Sequence, residues 1–125
     1  MDTKKTILIV DDSEFVRSYH SYILEQALFH VITAVDGSDG LEKLYTNACD
    51  LILTDINMTH MDGYEFIRRV RSDPKYGPLP IIIVSTESEG KDKRKGFEAG
   101  ANLYLVKPNS PEMMVENIRM ILIAY

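Results

Sequence analysis

Six polar residues stand where apolar runs end in this chain of 125 residues. Asp11 and Asp12 close "ILIVDD", Asp55 closes "DLILTD", Ser85 and Thr86 follow "IIIV", and Lys107 follows "NLYLV". A carboxylate at the edge of a buried run costs free energy unless something compensates it. Three carboxylates brought together would repel one another and raise each other's pKa. A hard divalent cation removes that conflict. Mg²⁺, or Mn²⁺ in its place, takes oxygen ligands, keeps several waters and suits one or two carboxylates plus a phosphate. With Lys107 beside it, such a centre would attract a phosphoryl group. Asp55 is then placed to attack phosphorus and form an acyl phosphate. The Ser85 hydroxyl and the Lys107 ammonium could each hold a phosphoryl oxygen, and a shift of one residue would hand the hydroxyl role to Thr86.

That chemistry requires the runs to be strands of one sheet, with their carboxyl ends at one edge. Five runs qualify: "TILIV" (6–10), "HVITAV" (30–35), "DLILT" (50–54), "IIIVS" (81–85) and "NLYLV" (102–106). They are continuous rather than alternating, which suits strands covered on both faces. Helical segments lie between them. Phe15, Val16, Tyr19, Ile23 and Ala27 recur at helical spacing after Asp12 and Ser13, either of which could cap. Leu41 and Leu44 belong to a short second helix after the turn residues "DGSDG". Asp62 and Glu65 resemble a capping box for a third helix with Phe66, Ile67 and Val70 inward. Prolines and glycine make 72–80 a loop. A fourth helix near 91–99 ends at Gly100. A fifth starts with Ser110 as cap and Pro111 at its first position, with Met114, Val115, Ile118, Ile121 and Leu122 as its stripe. Five β-α repeats predict a parallel sheet with helices on both faces, whose ligands bind at the strand carboxyl ends.

Composition excludes other classes. Hydrophobic residues form 45% and charged residues 26% of the chain, an ordinary globular balance. A net charge of −5 and a pI of about 5.1 argue against nucleic-acid binding over the whole surface. The lone cysteine, Cys49, reads as a small residue at a helix–strand junction. No apolar run approaches the ~18 residues of a membrane span, and the four-residue run near the N-terminus is too short for a signal peptide. A soluble, cytoplasmic protein is the expectation. His20, His30 and His60 show no ligand spacing.

The motifs "LIVDD", "DLILTDINM", "MDG", "IIIVST", "AGA" and "YLVKP", in this order and spacing, resemble the CheY-like receiver domain of two-component response regulators. The resemblance spans nearly the whole chain. It implies a flavodoxin-like (βα)₅ fold with strand order 2-1-3-4-5, and a single receiver domain over residues 1–125 with no output domain. It places Asp55 as phosphoacceptor, Asp11 and Asp12 as the acidic pair, and Asn57 as the residue whose backbone carbonyl completes the Mg²⁺ shell. Ser85 takes the switch-hydroxyl position, Lys107 the lysine, and Tyr104 the aromatic that moves from an exposed to a buried rotamer. Asn57 and Glu87 hold positions that tune dephosphorylation. The phosphodonor would be a sensor histidine kinase, a phosphotransfer protein or a small acyl phosphate. The downstream target would read the face of the fourth helix, fifth strand and fifth helix, to which "KDKRKGF" (91–97) would contribute. The Lys107–Pro108 peptide is cis in the family. Three residues depart from the family pattern: Thr59 for proline, Thr86 for a smaller residue, and Asn109 for an aromatic. Two other classes stay in view, a metal-dependent phosphatase with an aspartyl nucleophile and a phosphate-independent binding module. Asn57 counts against the first, because such phosphatases carry a second aspartate there. The complete set of Asp11, Asp12, Asp55, Ser85 and Lys107 counts against the second.

Overall fold

The computed structural model describes residues 3–124. Its elements are β1 (Thr6–Val10), α1 (Glu14–Gln26), β2 (His30–Ala34), α2 (Gly37–Thr46), β3 (Leu51–Thr54), α3 (Gly63–Arg71), β4 (Ile81–Ser85), α4 (Gly90–Ala99), β5 (Leu103–Val106) and α5 (Pro111–Ala124). A short 3₁₀ turn, Pro74–Tyr76, interrupts the loop before β4. The strands pair in parallel in the order β2-β1-β3-β4-β5.

The continuous apolar runs make two cores. Side chains alternate across a strand, so Ile7, Ile9, Leu51, Leu53, Ile82 and Val84 pack on Leu24, Met114 and Ile118 from α1 and α5. Leu8, Val10, Ile52, Ile81 and Ile83 face the other way, onto Phe66, Ile67 and Val70 of α3 with α2 and α4. Both sides of the sheet are covered, which is why the strands needed no polar face.

Two local readings change. Phe15 and Tyr19 lie outside the inward stripe of α1: they are exposed and stack on each other, while His20 and Leu24 turn to the core. Two adjacent helical rows of α1 carry apolar residues, and packing against the sheet selects one. "DGSDG" is not a turn before α2. Asp36 caps the helix by accepting from the Asp39 N–H at 2.8 Å, and Gly37 and Gly40 are helical. Gly40 is small because a Cβ there would lie 2.9 Å from the Phe66 ring.

Other signals hold. Asp62 caps α3 by accepting from the Glu65 N–H at 2.9 Å, while the Glu65 carboxylate is taken by Arg68 and Arg69 rather than reaching back. Gly100 ends α4 at φ 123°, a conformation that favours glycine. Ser110 accepts from the Met113 N–H at 3.1 Å ahead of Pro111. The Cys49 thiol donates to the Leu51 carbonyl and burial pushes its pKa up to about 11, as suits a packed junction residue. Arg71 carries no sequence signal, yet its guanidinium donates to the carbonyls of Gly100, Tyr76 and Leu79 and to Asn102 Oδ1, closing the sheet edge opposite the strand carboxyl ends.

Gly63 of "MDG" shows why that motif needs glycine. Its N–H donates to the Ile56 carbonyl at 2.7 Å. A Cβ there would fall on the Asp55 carbonyl oxygen and lie 2.7 Å from Ile56 Cα, against backbone that cannot swing aside. Gly63→Ala is expected to destabilise the protein by about 1–3 kcal/mol, read as a lower midpoint in urea; an unchanged midpoint would show that the loop after Asp55 yields freely.

Candidate functional site

Strand register assembles the site. Val10 pairs with Thr54, so the next residues, Asp11 and Asp55, leave the sheet side by side. The Asp55 N–H donates to the Val10 carbonyl at 3.0 Å, and the Asp11 N–H to the Ala34 carbonyl at 3.1 Å. On the other side Ser85 pairs with Val106, and the Lys107 N–H donates to the Ser85 carbonyl at 2.7 Å. The Lys107 ammonium reaches back across the edge. Its Nζ lies 3.2 Å from Asp11 Oδ2 and 3.4 Å from Asp55 Oδ2. Residues separated by 96 and 52 positions in the chain thus share one ion-pair cluster.

Asp11 is buried, Asp55 is half-buried and Asp12 is exposed, and each offers a carboxylate oxygen within 4.8 Å of the others. Asp55 Oδ1 also accepts from the Ile56 N–H at 2.7 Å. Burial nevertheless raises the Asp55 pKa; Lys107 and the Ile56 N–H pull it down, and Asp11 adds to the rise. Asp11 Oδ1 accepts from the Ser13 N–H at 2.9 Å, and Ser13 Oγ accepts from the Val16 N–H at 3.2 Å. Ser13 is therefore the cap of α1, and Asp11 steadies the turn leading into it. Arg17 donates to the Asp11 carbonyl at 2.7 Å.

Ser85 is fully buried at the end of β4, whereas Thr86 is exposed. Ser85 Oγ accepts from the Glu87 N–H at 3.1 Å. The Glu87 carboxylate accepts from Asn57 Nδ2 at 3.1 Å, so the two residues touch, linking the β3–α3 and β4–α4 loops. Tyr104 occupies the buried one of its two expected positions, 8% exposed, with its hydroxyl donating to the Glu87 carbonyl at 2.8 Å. The Lys107–Pro108 peptide is cis. Asn109, in the place of an aromatic, has a buried Oδ1 without a hydrogen-bond partner. The His60 side chain is 83% exposed and 4.0 Å from Asp36, away from the acidic cluster.

His20 had no motif to mark it. It is buried in α1, and burial first, then Lys107, lower its pKa to about 4, with Asp11 opposing. It is a neutral imidazole near the charged cluster. Only its place on the inward row of α1 could have pointed to it.

Fold and site together define a receiver-type architecture. The chain belongs to the response regulator receiver domain family, whose model matches residues 7–119. Chemotaxis protein CheY1 of Helicobacter pylori is 34% identical over 118 residues, covering 93% of this chain and 95% of the relative. The gliding motility regulatory protein of Myxococcus xanthus is 40% identical over 101 residues; the match takes 81% of this chain but 13% of the relative, a much longer protein. The structure of chemotaxis response regulator CheY4 of Vibrio cholerae superposes with a TM-score of 0.90 at 36% identity, covering 95% of this chain and 99% of the other. Among the described residues, no helix is long and apolar enough to cross a membrane.

The buried groups give the site opposing pH signatures. His20 is harder to protonate folded than unfolded. Its contribution is therefore full above the ordinary histidine pKa of about 6.5 and is lost as pH falls towards about 4. Relative to His20→Leu, the wild type is expected to lose about 3 kcal/mol between pH 7 and pH 4, measured by urea unfolding; parallel profiles would refute a buried neutral imidazole. Asp55 acts in the other direction. Its folded pKa is raised, so its contribution is full below the ordinary carboxylate range and is lost as pH rises through the folded pKa. Asp55→Asn should thus be more stable than wild type at pH 7, with the advantage fading near pH 4; a variant less stable at pH 7 would mean that Lys107 outweighs burial.

Proposed function

We propose that the chain is a phosphorylation-dependent signalling switch with Asp55 as acceptor. The observation that supports this best is the Lys107 ammonium bridging Asp11 and Asp55 beside a three-carboxylate cluster. Three carboxylates against one ammonium leave two negative charges, and every candidate donor is oxygen, which fits Mg²⁺ or Mn²⁺. Asp11, Asp12, Asp55 and the Asn57 backbone carbonyl would hold the ion, whose chemistry there is to neutralise charge on the phosphoryl oxygens. The carboxylate of Asp55 attacks phosphorus of a phosphohistidine on a sensor kinase or phosphotransfer protein, or of a small acyl phosphate. The new O–P bond forms as the old P–N or P–O bond breaks, and the leaving imidazole or carboxylate keeps the electron pair. Water later cleaves the acyl phosphate, returning the carboxylate and inorganic phosphate.

Ser85 and Lys107 supply the coupling. Ser85 Oγ already accepts from the Glu87 N–H, and its own proton can be donated to a phosphoryl oxygen. Such a charge-assisted bond would draw residues 85–87 towards Asp55, and Tyr104 with them through the Glu87 carbonyl. The face formed by α4, β5 and α5 would then change for a partner. It exposes Phe97 and Met113 and carries Lys91, Lys93 and Arg94, whereas Lys95 turns towards α3 over the Tyr64 ring. Moving the population from mostly off to mostly on requires ~3–5 kcal/mol of preference for one state. Asn57 and Glu87, joined by a hydrogen bond, would meter attacking water.

Intact-mass measurement with acetyl phosphate tests the reading. Wild type with Mg²⁺ should gain one phosphoryl group, and Asp55→Asn or wild type with chelator should gain none. Ser85→Ala should still be modified but should lose the accompanying change in the Tyr104 environment. A wild type that stays unmodified, or an Asp55→Asn variant modified equally, would overturn the assignment.

A further inference from the structure

Glycine inside a helix is unfavourable relative to alanine, yet α4 keeps Gly96 buried in its middle. A Cβ there would lie 2.7 Å from Ile83 Cδ1, 3.1 Å from Tyr104 Cδ2 and 3.5 Å from Tyr104 Cε2. One edge of the Tyr104 ring therefore lies against the place of the missing methyl. The ring's other end is fixed by its hydroxyl on the Glu87 carbonyl, and Glu87 is in turn held by Ser85 Oγ and by Asn57. A short route of contact and hydrogen bonds runs from the helix backbone to the site hydroxyl.

We propose that Gly96 is a positioning residue: it is the seat that admits the Tyr104 ring beneath α4, and side-chain bulk at residue 96 sets where Tyr104 stands. Because the ring's hydroxyl holds the Glu87 carbonyl, residue 96 also biases the 85–87 segment and hence the affinity of the site for a phosphoryl group. This second consequence rests on Asp55 being the acceptor, whereas the seat itself does not. The two substitutions of interest differ in kind. Alanine needs the terminal methyl of Ile83 to move and the Tyr104 ring to give by a few tenths of an ångström. Leucine has no room while the ring is in place.

The test uses the whole chain with tyrosine labelled for NMR, the Tyr104 signal being assigned by its loss in Tyr104→Phe. Gly96→Ala should leave the ring buried. Gly96→Leu should move it to solvent, and should weaken binding of beryllofluoride with Mg²⁺, a phosphoryl mimic, by about tenfold, since coupling between sites is reciprocal. In Gly96→Leu/Tyr104→Ala the leucine takes the space of the lost ring, so the urea midpoint should exceed the value expected from adding the two single effects. A ring still buried in Gly96→Leu would overturn the proposal, as would equal behaviour of the alanine and leucine variants. If Gly96→Leu does not fold, recovery of folding in the double variant supports the seat, and failure to recover refutes it. Wild type that binds no beryllofluoride would count against Asp55 as acceptor, while the Tyr104 signal would still decide the seat.

Discussion

One ammonium between two carboxylates is the constraint on which the site depends. Asp11 and Asp55 leave adjacent parallel strands in the same register, so the sheet itself forces them together. Like charges in such proximity at the edge of a core disfavour ionisation. Lys107 relieves this from β5, two strands beyond β3, and can do so because β4 and β5 are paired to their last residues. The relief is incomplete: Asp55 still finds its charged form disfavoured, with burial as the largest cause. A site left short of positive charge is one in which a cation and a group able to bond Lys107 both find favourable work. The stability forgone there is recovered in the two apolar layers beneath, where Phe66, Ile67, Met114 and Ile118 are all but fully buried.

Most of the fold was legible because the signal was redundant. Each strand was a run of apolar, mainly branched residues ended by a polar one, so periodicity, run length and the following turn agreed. Strand ends then located Asp11, Asp55, Ser85 and Lys107 without further information. What escaped was set by packing between elements. The α1 sequence permits two inward rows, and only the sheet beneath chooses His20 and Leu24 over Phe15 and Tyr19. "DGSDG" has turn composition, but its glycines are there to let Phe66 and Met61 approach a helix. The Arg71 staple joins three segments that no local pattern relates. Glu87 was noted for its side chain, yet its backbone N–H and carbonyl do as much, since one meets Ser85 and the other Tyr104.

These contacts bear on which part of the molecule is able to respond. α4 has the weakest local reasons to be a helix. It begins at Gly90, contains Gly96, and its N-cap Glu89 supplies no side-chain hydrogen bond. Two phenol hydroxyls help to hold it and the loop before it: Tyr64 from α3 donates to the Asp92 carbonyl, and Tyr104 from β5 donates to the Glu87 carbonyl. A neutral hydrogen bond of this kind contributes about 1 kcal/mol net. Those two bonds together are therefore of the same order as one or two charge-assisted bonds to a phosphoryl group, each worth about 1.5–3 kcal/mol. Such a match is what a population shift requires, because a ligand moves an equilibrium only by its difference in affinity for the two states. A strong cap and an alanine in place of the central glycine would each add about 1 kcal/mol to the helix, which the proposed phosphoryl contacts would have to overcome. On the proposed reading, the weak local support of α4 is what would let the acidic edge be coupled to the outer face.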